Sequence, residues 1–263
     1  MPGLVLEAGG ARGAYQIGVV KSLYENGYSF DGFVGTSIGS INAALLAQGD
    51  FDKALELWMS ISMEQVFYED ELPILELADI KDFKHNLTTT MKKGVAALVK
   101  IIHNKGLHTD RMKSFLEKYI DEERIRESSK DFGLVTLSIS ERKAYELMLD
   151  EIPDGQLVSY IMASSSVPGF HLETIEGNTF VDGGVYNNCP SNLLIKKGYS
   201  DILAVRIARL HSLLWTDDPK IKIIAPIEDL GNILLFTSEN CAAKIELGYN
   251  DGLRYVESMQ RNS

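Results

Sequence analysis

Two strand–turn–helix units fill the first 48 residues. Leu4-Val5-Leu6 is a short apolar run with the length of a buried strand. Gly9-Gly10-Ala11-Arg12-Gly13 breaks it. A helical pattern follows, with Ile17, Val20, Leu23 and Tyr24 on one face and Gly27 at the C-terminal stop. Gly32-Phe33-Val34-Gly35-Thr36 reads as a second buried strand. Ser37 then opens a helix through Ile41, Ala44, Leu45 and Ala47, stopped by Gly49. Strand–helix alternation of this kind argues for a parallel sheet with right-handed crossovers.

The chain has 263 residues, long for one ordinary domain and short for two. One α/β domain over residues 1–263, with a lid inserted in it, is the expectation. Apolar residues are 45% and charged residues 24%, which places the chain among globular proteins. The formal charge of −11 disfavours nucleic acid as a partner, because phosphate binding needs a basic face. Only Cys189 and Cys241 occur, so a zinc ribbon or a disulfide framework is excluded, and two free thiols in a reducing compartment are expected. Met1-Pro2-Gly3-Leu4-Val5-Leu6 lacks the basic start of a signal peptide, and no stretch approaches 18 apolar residues. A cytoplasmic location is expected.

From Phe51 to Tyr119 the pattern is mostly helical. Lys84 to Lys118 holds eight lysines and arginines against Asp110 and Glu117, a local charge of +6. Met91, Val95, Leu98, Val99 and Ile102 give it an apolar stripe. Strand signals return at Phe132–Ile139 and Lys143–Leu149, read as a pair. A helix is expected over Gln156–Ser164. Glu176-Gly177-Asn178 reads as a tight turn between strands at His171–Thr174 and Thr179–Val181, and Asp182-Gly183-Gly184 ends the second. Asp201–Arg206 and Lys220–Ile224 are two further strands, and the tail, residues 238–263, reads as an amphipathic helix.

Gly35-Thr36-Ser37-Ile38-Gly39 fits G-x-S-x-G. A serine on a sharp strand-to-helix turn is lifted clear of the sheet, and flanking glycines let neighbouring segments approach. The helix N-terminus favours negative charge there. Here a buried strand enters and a helix leaves; the bland alternative is a turn whose Ser37 caps a helix. Gly9-Gly10-Ala11-Arg12-Gly13 sits in the same context, so its amides can converge on an anion. A dinucleotide site would want glycine where Ala8 stands and an acid after the next strand, whereas Asp31 precedes it. An oxyanion hole beside a nucleophilic serine is the better use. The histidines are His85, His103, His108, His171 and His211, none with a marking spacing. Ser37, Asp182 and His211 could meet a Ser-Asp-His order, but α/β-hydrolases place the elbow after several strands, not the second. Asp182, closing a strand before two glycines, is the better base; a desolvated carboxylate can take the hydroxyl proton directly. No carboxylate or histidine cluster has metal-ligand spacing, so no metal or other cofactor is expected.

Three elements in this order, Gly9–Gly13, Gly35–Gly39 and Asp182-Gly183-Gly184, resemble the patatin-like phospholipase family. The resemblance runs on through Ala14–Val19, Ser40–Ala43 and Ala163–Pro168, and is poor from Phe51 to Arg126. It implies a three-layer α/β/α fold with a mainly parallel sheet and a helical insertion at 51–126. It implies a Ser-Asp dyad without histidine: Ser37 as nucleophile, Asp182 as base, and the amides of Gly9, Gly10 and Ala11 as oxyanion hole with Arg12 as its charged member. Gly13, Gly35, Gly39, Gly183 and Gly184 support the motifs. The implied reaction is hydrolysis of a lipid acyl ester through an acyl-enzyme. Small esters, thioesters, acyl transfer and non-catalytic lipid binding are the alternatives. Ala8 replaces the family's first loop glycine; if that position needs positive φ, alanine costs about 1 kcal/mol. The basic segment 84–118 would then serve for peripheral membrane contact, as a lid, or simply as a solvated helix.

Overall fold

The computed structural model describes residues 1–72, 106–207, 218 and 221–261. Its sheet is built from β1 (Pro2–Leu6), β2 (Gly32–Thr36), β3 (Asp131–Ser138), β4 (Lys143–Met148), β5 (Thr174–Ile175), β6 (Asn178–Asp182), β7 (Asp201–Val205) and β8 (Ile221–Ile224). The order is β5-β6-β3-β2-β1-β7-β8, with β4 paired to β3 off that path. β3, β2, β1, β7 and β8 run parallel. β4 and β6 run antiparallel to β3, and β5 to β6. The described helices are α1 (Gly13–Glu25), α2 (Ile38–Ala47), α3 (Phe51–Ser60), α4 (Met63–Val66), α5 (Asp110–Leu116), α6 (Glu122–Glu127), α7 (Leu157–Ser164), α8 (Ser191–Lys196) and α9 (Ser238–Arg261).

β1 shows why both faces of the sheet are covered. Successive side chains of a strand point to opposite faces. Leu4 and Leu6 belong to the large apolar cluster with α1, α2, α3 and α9, whereas Val5 packs with Leu193 and Leu194 of α8. A strand buried on both sides reads as an unbroken apolar run, which is how this one reads. The result is three layers, helix–sheet–helix. α9 lies tightly on α1: a Cβ on Gly18 would come within 2.0 Å of the Ile245 carbonyl, and one on Gly248 within 2.0 Å of the Tyr15 carbonyl. The Tyr15 hydroxyl donates to Asp251 across the same interface at 2.7 Å.

β3 aligns the functional end of the sheet. One edge carries β4 along Gly133–Ser138. The other edge is shared: β2 pairs with Asp131–Val135, and β6 with Thr136–Ser138. Thr36 therefore lies beside Val135, and Asp182 beside Thr136. Two strands reach adjacent residues of one edge from opposite directions, and the chain turns away from both at that junction.

The predicted strand at His171–Thr174 shrinks to Thr174–Ile175, because the His171 N–H is taken by the Leu107 carbonyl at 2.7 Å. The tight turn stands, with φ of 51° at Glu176 and 80° at Gly177, as a two-residue hairpin requires.

Candidate active site

Ser37 occupies a backbone conformation that side-chain-bearing residues avoid, φ 55° and ψ −127°. Such a residue costs on the order of 1–3 kcal/mol and persists only where its surroundings over-determine it. They do so here. The Ser37 N–H donates to Ser164 Oγ at 2.9 Å, and Ser164 Oγ donates to the Val135 carbonyl at 2.7 Å. Ser40 donates to the Ser37 carbonyl through both its amide (2.8 Å) and its hydroxyl (2.6 Å). The motif glycines fit by contact: a Cβ on Gly35 would lie 2.2 Å from the Gly39 carbonyl, and one on Gly39 would lie 2.1 Å from the Leu6 carbonyl. Ser37 makes no side-chain cap to α2; it lies beside the Asp182 carboxyl in the wall of one cavity.

Asp182 is as buried as Ser37, each 6% exposed. Its N–H donates to the Ser166 carbonyl at 2.8 Å, and its Oδ1 accepts the Gly184 N–H at 2.7 Å. Burial pushes the carboxyl up to about 6, against the opposing pull of Ser37 and the Gly184 N–H. Gly183 fits because a Cβ there would strike the Val135 carbonyl at 2.0 Å.

The loop after β1 is held differently. Ala8 is not among the residues with positive φ, so its methyl causes no strain; it lines the cavity near Gly184. Gly10 does take the left-handed conformation, φ 58°, with room only for a hydrogen beside the Ile233 carbonyl. Gly13 packs against Ile38 and Trp58. Ala11 departs from the expectation: its N–H is spent on the Ile233 carbonyl at 2.7 Å and does not face an oxyanion. Arg12 likewise braces the loop, with Nε donating to the Gly231 carbonyl at 2.9 Å. The Gly9, Gly10, Ile38 and Gly39 amides make no backbone hydrogen bond among the described residues. Of these four, Gly9, Gly10 and Ile38 line the cavity around Ser37.

That cavity holds about 410 Å³. Its wall is mostly apolar, from Val66, Phe67, Met112, Met162, Phe170 and Phe236, with Arg12, Thr109, Ser165 and Asn188 as further polar members beside Ser37 and Asp182. Phe67 meets Phe170 and Phe236 with ring centroids 6.0 and 6.1 Å apart. Elements 100 residues and more apart in sequence thus form one acyl-sized slot.

Histidine is not part of the described site. His108 bonds Glu71 through Nδ1 at 2.8 Å and meets the His171 ring at a tilt of 53°; neither bonds Ser37 or Asp182 among the described residues. His85, His103 and His211 lie outside the described residues, as do Lys84 to Lys105 of the basic segment. Within its remainder, Lys113 pairs with Glu173 at 2.6 Å and Arg111 lies over the Tyr68 ring, so those two cations serve the fold. Among the described residues no group of His, Cys, Asp and Glu could hold a metal, and no helix is long and apolar enough to cross a membrane.

A family model described as patatin-like phospholipase matches residues 4–195. The chain belongs to the patatin-like phospholipase family. The match includes Ser37, Asp182 and the loop after β1. This patatin-like chain is 29% identical over 210 residues to patatin-like phospholipase domain-containing protein 6 of Mus musculus, covering 78% of the chain and 13% of that protein. It is 27% identical over 209 residues to lysophospholipase NTE1 of Mycosarcoma maydis, covering 79% and 10%. The chain thus spans a small part of the relatives it matches. Among solved structures, VipD of Legionella pneumophila shares the fold, with a TM-score of 0.59 and 14% identity over 98% of this chain and 67% of VipD.

Sequence reasoning missed three supports of the patatin-like site. Ser164 and Ser166 were visible as a polar run closing an apolar helix, a usable signal. Glu7 was not: it is fully buried, accepts from Arg206 at 2.8 Å and from the Ile207 N–H at 2.6 Å, and so ties the end of β1 to the end of β7. The segment around Gly231 and Ile233 offers only backbone carbonyls, which leave no trace in sequence.

Proposed function

We propose that this chain is a serine acyl hydrolase of lipid esters, of phospholipase A or lysophospholipase type, working through a Ser37–Asp182 dyad. One observation carries the reading. A strained serine and a buried carboxyl pushed up to about 6 share the wall of a largely apolar cavity of about 410 Å³. In this reading Asp182 takes the proton as Ser37 Oγ attacks the ester carbonyl, then returns it to the leaving alcohol. Gly9 and Gly10, with Ile38 at the positive end of α2, hold the oxyanion; each good donor contributes about 3–4 kcal/mol. Water then releases the acyl chain from Ser37. The segment 51–126 is assigned as an insertion, and its described residues Val66, Phe67 and Met112 line the slot. A cytoplasmic, peripheral enzyme would meet the bilayer through cations of 84–105.

A graded acyl series in EDTA, from short p-nitrophenyl esters to long-chain phospholipids, tests this. Wild type hydrolyses the long chains, Ser37→Ala and Asp182→Asn lose activity, and His211→Gln retains it. Loss in His211→Gln returns a triad. Preference for short acyl groups or thioesters moves the substrate to small acyl compounds. An inert wild type whose Ser37 ignores a fluorophosphonate leaves a lipid-binding protein.

A further inference from the structure

A second cavity, of about 470 Å³, lies between residues 228–231 and α9. Lys244 lines it and is 4% exposed, and its enclosed Nζ meets no hydrogen-bond acceptor among the described residues. Burial holds this amine below its ordinary range; Cys241 opposes that, and the Arg12 guanidinium adds to it. A buried cation without an acceptor is costly, and a lysine on a flexible stem gains one by turning to an anion in the cavity it lines. The opening of the same cavity is acidic: Glu228 and Glu246 are exposed there, and Asp229 accepts the Gly231 N–H at 3.1 Å. A simple anion would satisfy Lys244 and be repelled at the mouth. A simple cation would suit the mouth and leave Lys244 unsatisfied. The charge order, cation within and acids without, calls for one molecule carrying both signs.

We propose that this cavity binds a zwitterionic phosphodiester head group, its phosphate oxygens on Lys244 and its ammonium at Glu228 and Glu246. A phosphate suits this floor because Arg12, which donates to the carbonyl of the lining residue Gly231 at 2.9 Å, brings a second positive charge beside it. A lining residue bonds the loop after β1: Gly231 accepts from Arg12, and, two residues on, Ile233 accepts from Ala11. An occupant therefore bears on the loop that presents Gly9 and Gly10. Binding stands independently of the hydrolase reading; only an effect on turnover would rest on it.

Calorimetric titration of the full chain with sn-glycero-3-phosphocholine, inorganic phosphate, choline and glycine tests the assignment. Wild type and Ser37→Ala bind glycerophosphocholine saturably and the other three at least tenfold more weakly. Lys244→Met loses at least tenfold in affinity while keeping its thermal transition, and Lys244→Arg keeps most of the affinity. Equal affinity for phosphate or glycine overturns the head-group assignment, and so does full affinity in Lys244→Met. Loss of binding in Ser37→Ala overturns the site, since the ligand then sits in the catalytic cavity. Phosphatidylcholine vesicles distinguish the sources: vesicle binding displaced by the soluble head group and weakened by Lys244→Met assigns a lipid, and soluble binding alone assigns the free compound.

Discussion

The turns after β1 and β2 stand side by side, yet they are held by opposite means. The Ser37 turn closes on itself. Gly35 touches Gly39, Ser40 bonds Ser37, and the outside support, Ser164, comes from a helix end packed on β3. The Gly9–Arg12 turn leans on a segment more than 200 residues away, through Ala11 to Ile233 and Arg12 to Gly231. Ser37 is therefore placed mainly by contacts within its own turn, whereas the Gly9–Arg12 loop is placed by tertiary contact and is the half that a ligand or a remote substitution can move.

Substitutions separate the two halves, and the largest effect removes the chemistry itself. Ser37→Ala should lower ester turnover by roughly 10⁴-fold or more with the fold intact, checked by kcat and by circular dichroism. Asp182→Asn should cost about 10³–10⁴-fold. The wild-type acid limb of kcat/KM should have a midpoint near pH 6 and vanish in the variant. The same carboxyl sets a stability trend. Its folded-state pKa is raised, so between about pH 4 and 6 the native chain holds a proton that the unfolded chain has released. Stability from this group is thus greatest below about pH 4 and falls as pH rises through 6. Asp182→Asn should gain up to about 3 kcal/mol over wild type above that window, read from urea melts at both pH values.

Glycine substitutions then test the two turns directly. Gly39→Ala drives a methyl into the Leu6 carbonyl and should cost about 3 kcal/mol or more, with Ser37 losing its reaction with a fluorophosphonate. Gly10→Ala should cost about 1–3 kcal/mol by displacing Ile233, while Ser37 still labels. Equal loss of labelling in both would show that the turns are one unit. The smallest effect is expected for Arg12→Met, which removes one bond to Gly231. It should cost about 1 kcal/mol in stability and about tenfold in kcat, with KM little changed. A KM change without a kcat change would place Arg12 in substrate binding.

Much of this was legible because it is local. The glycines of G-x-S-x-G and the apolar β1 and β2 report requirements of a few consecutive residues, and their side chains show what the backbone must do. The place of Asp182 at a strand end before two glycines was legible for the same reason. Ala11 was misread because an amide has the same appearance in sequence whether it faces a substrate or a carbonyl. Ser37 and Asp182 are 145 positions apart, and nothing between them announces that β2 and β6 share one edge of β3.

The sequence by itself determined the parallel α/β core and the turn that carries Ser37, and it singled out Ser37 and Asp182, since periodicity and glycine placement are properties of short stretches. Only the tertiary structure decided that Thr36 and Asp182 meet at adjacent residues of β3, that burial lifts the Asp182 carboxyl, and which amides are left free. Those depend on strand register and on the exclusion of water. Both are set by packing between segments distant in the chain.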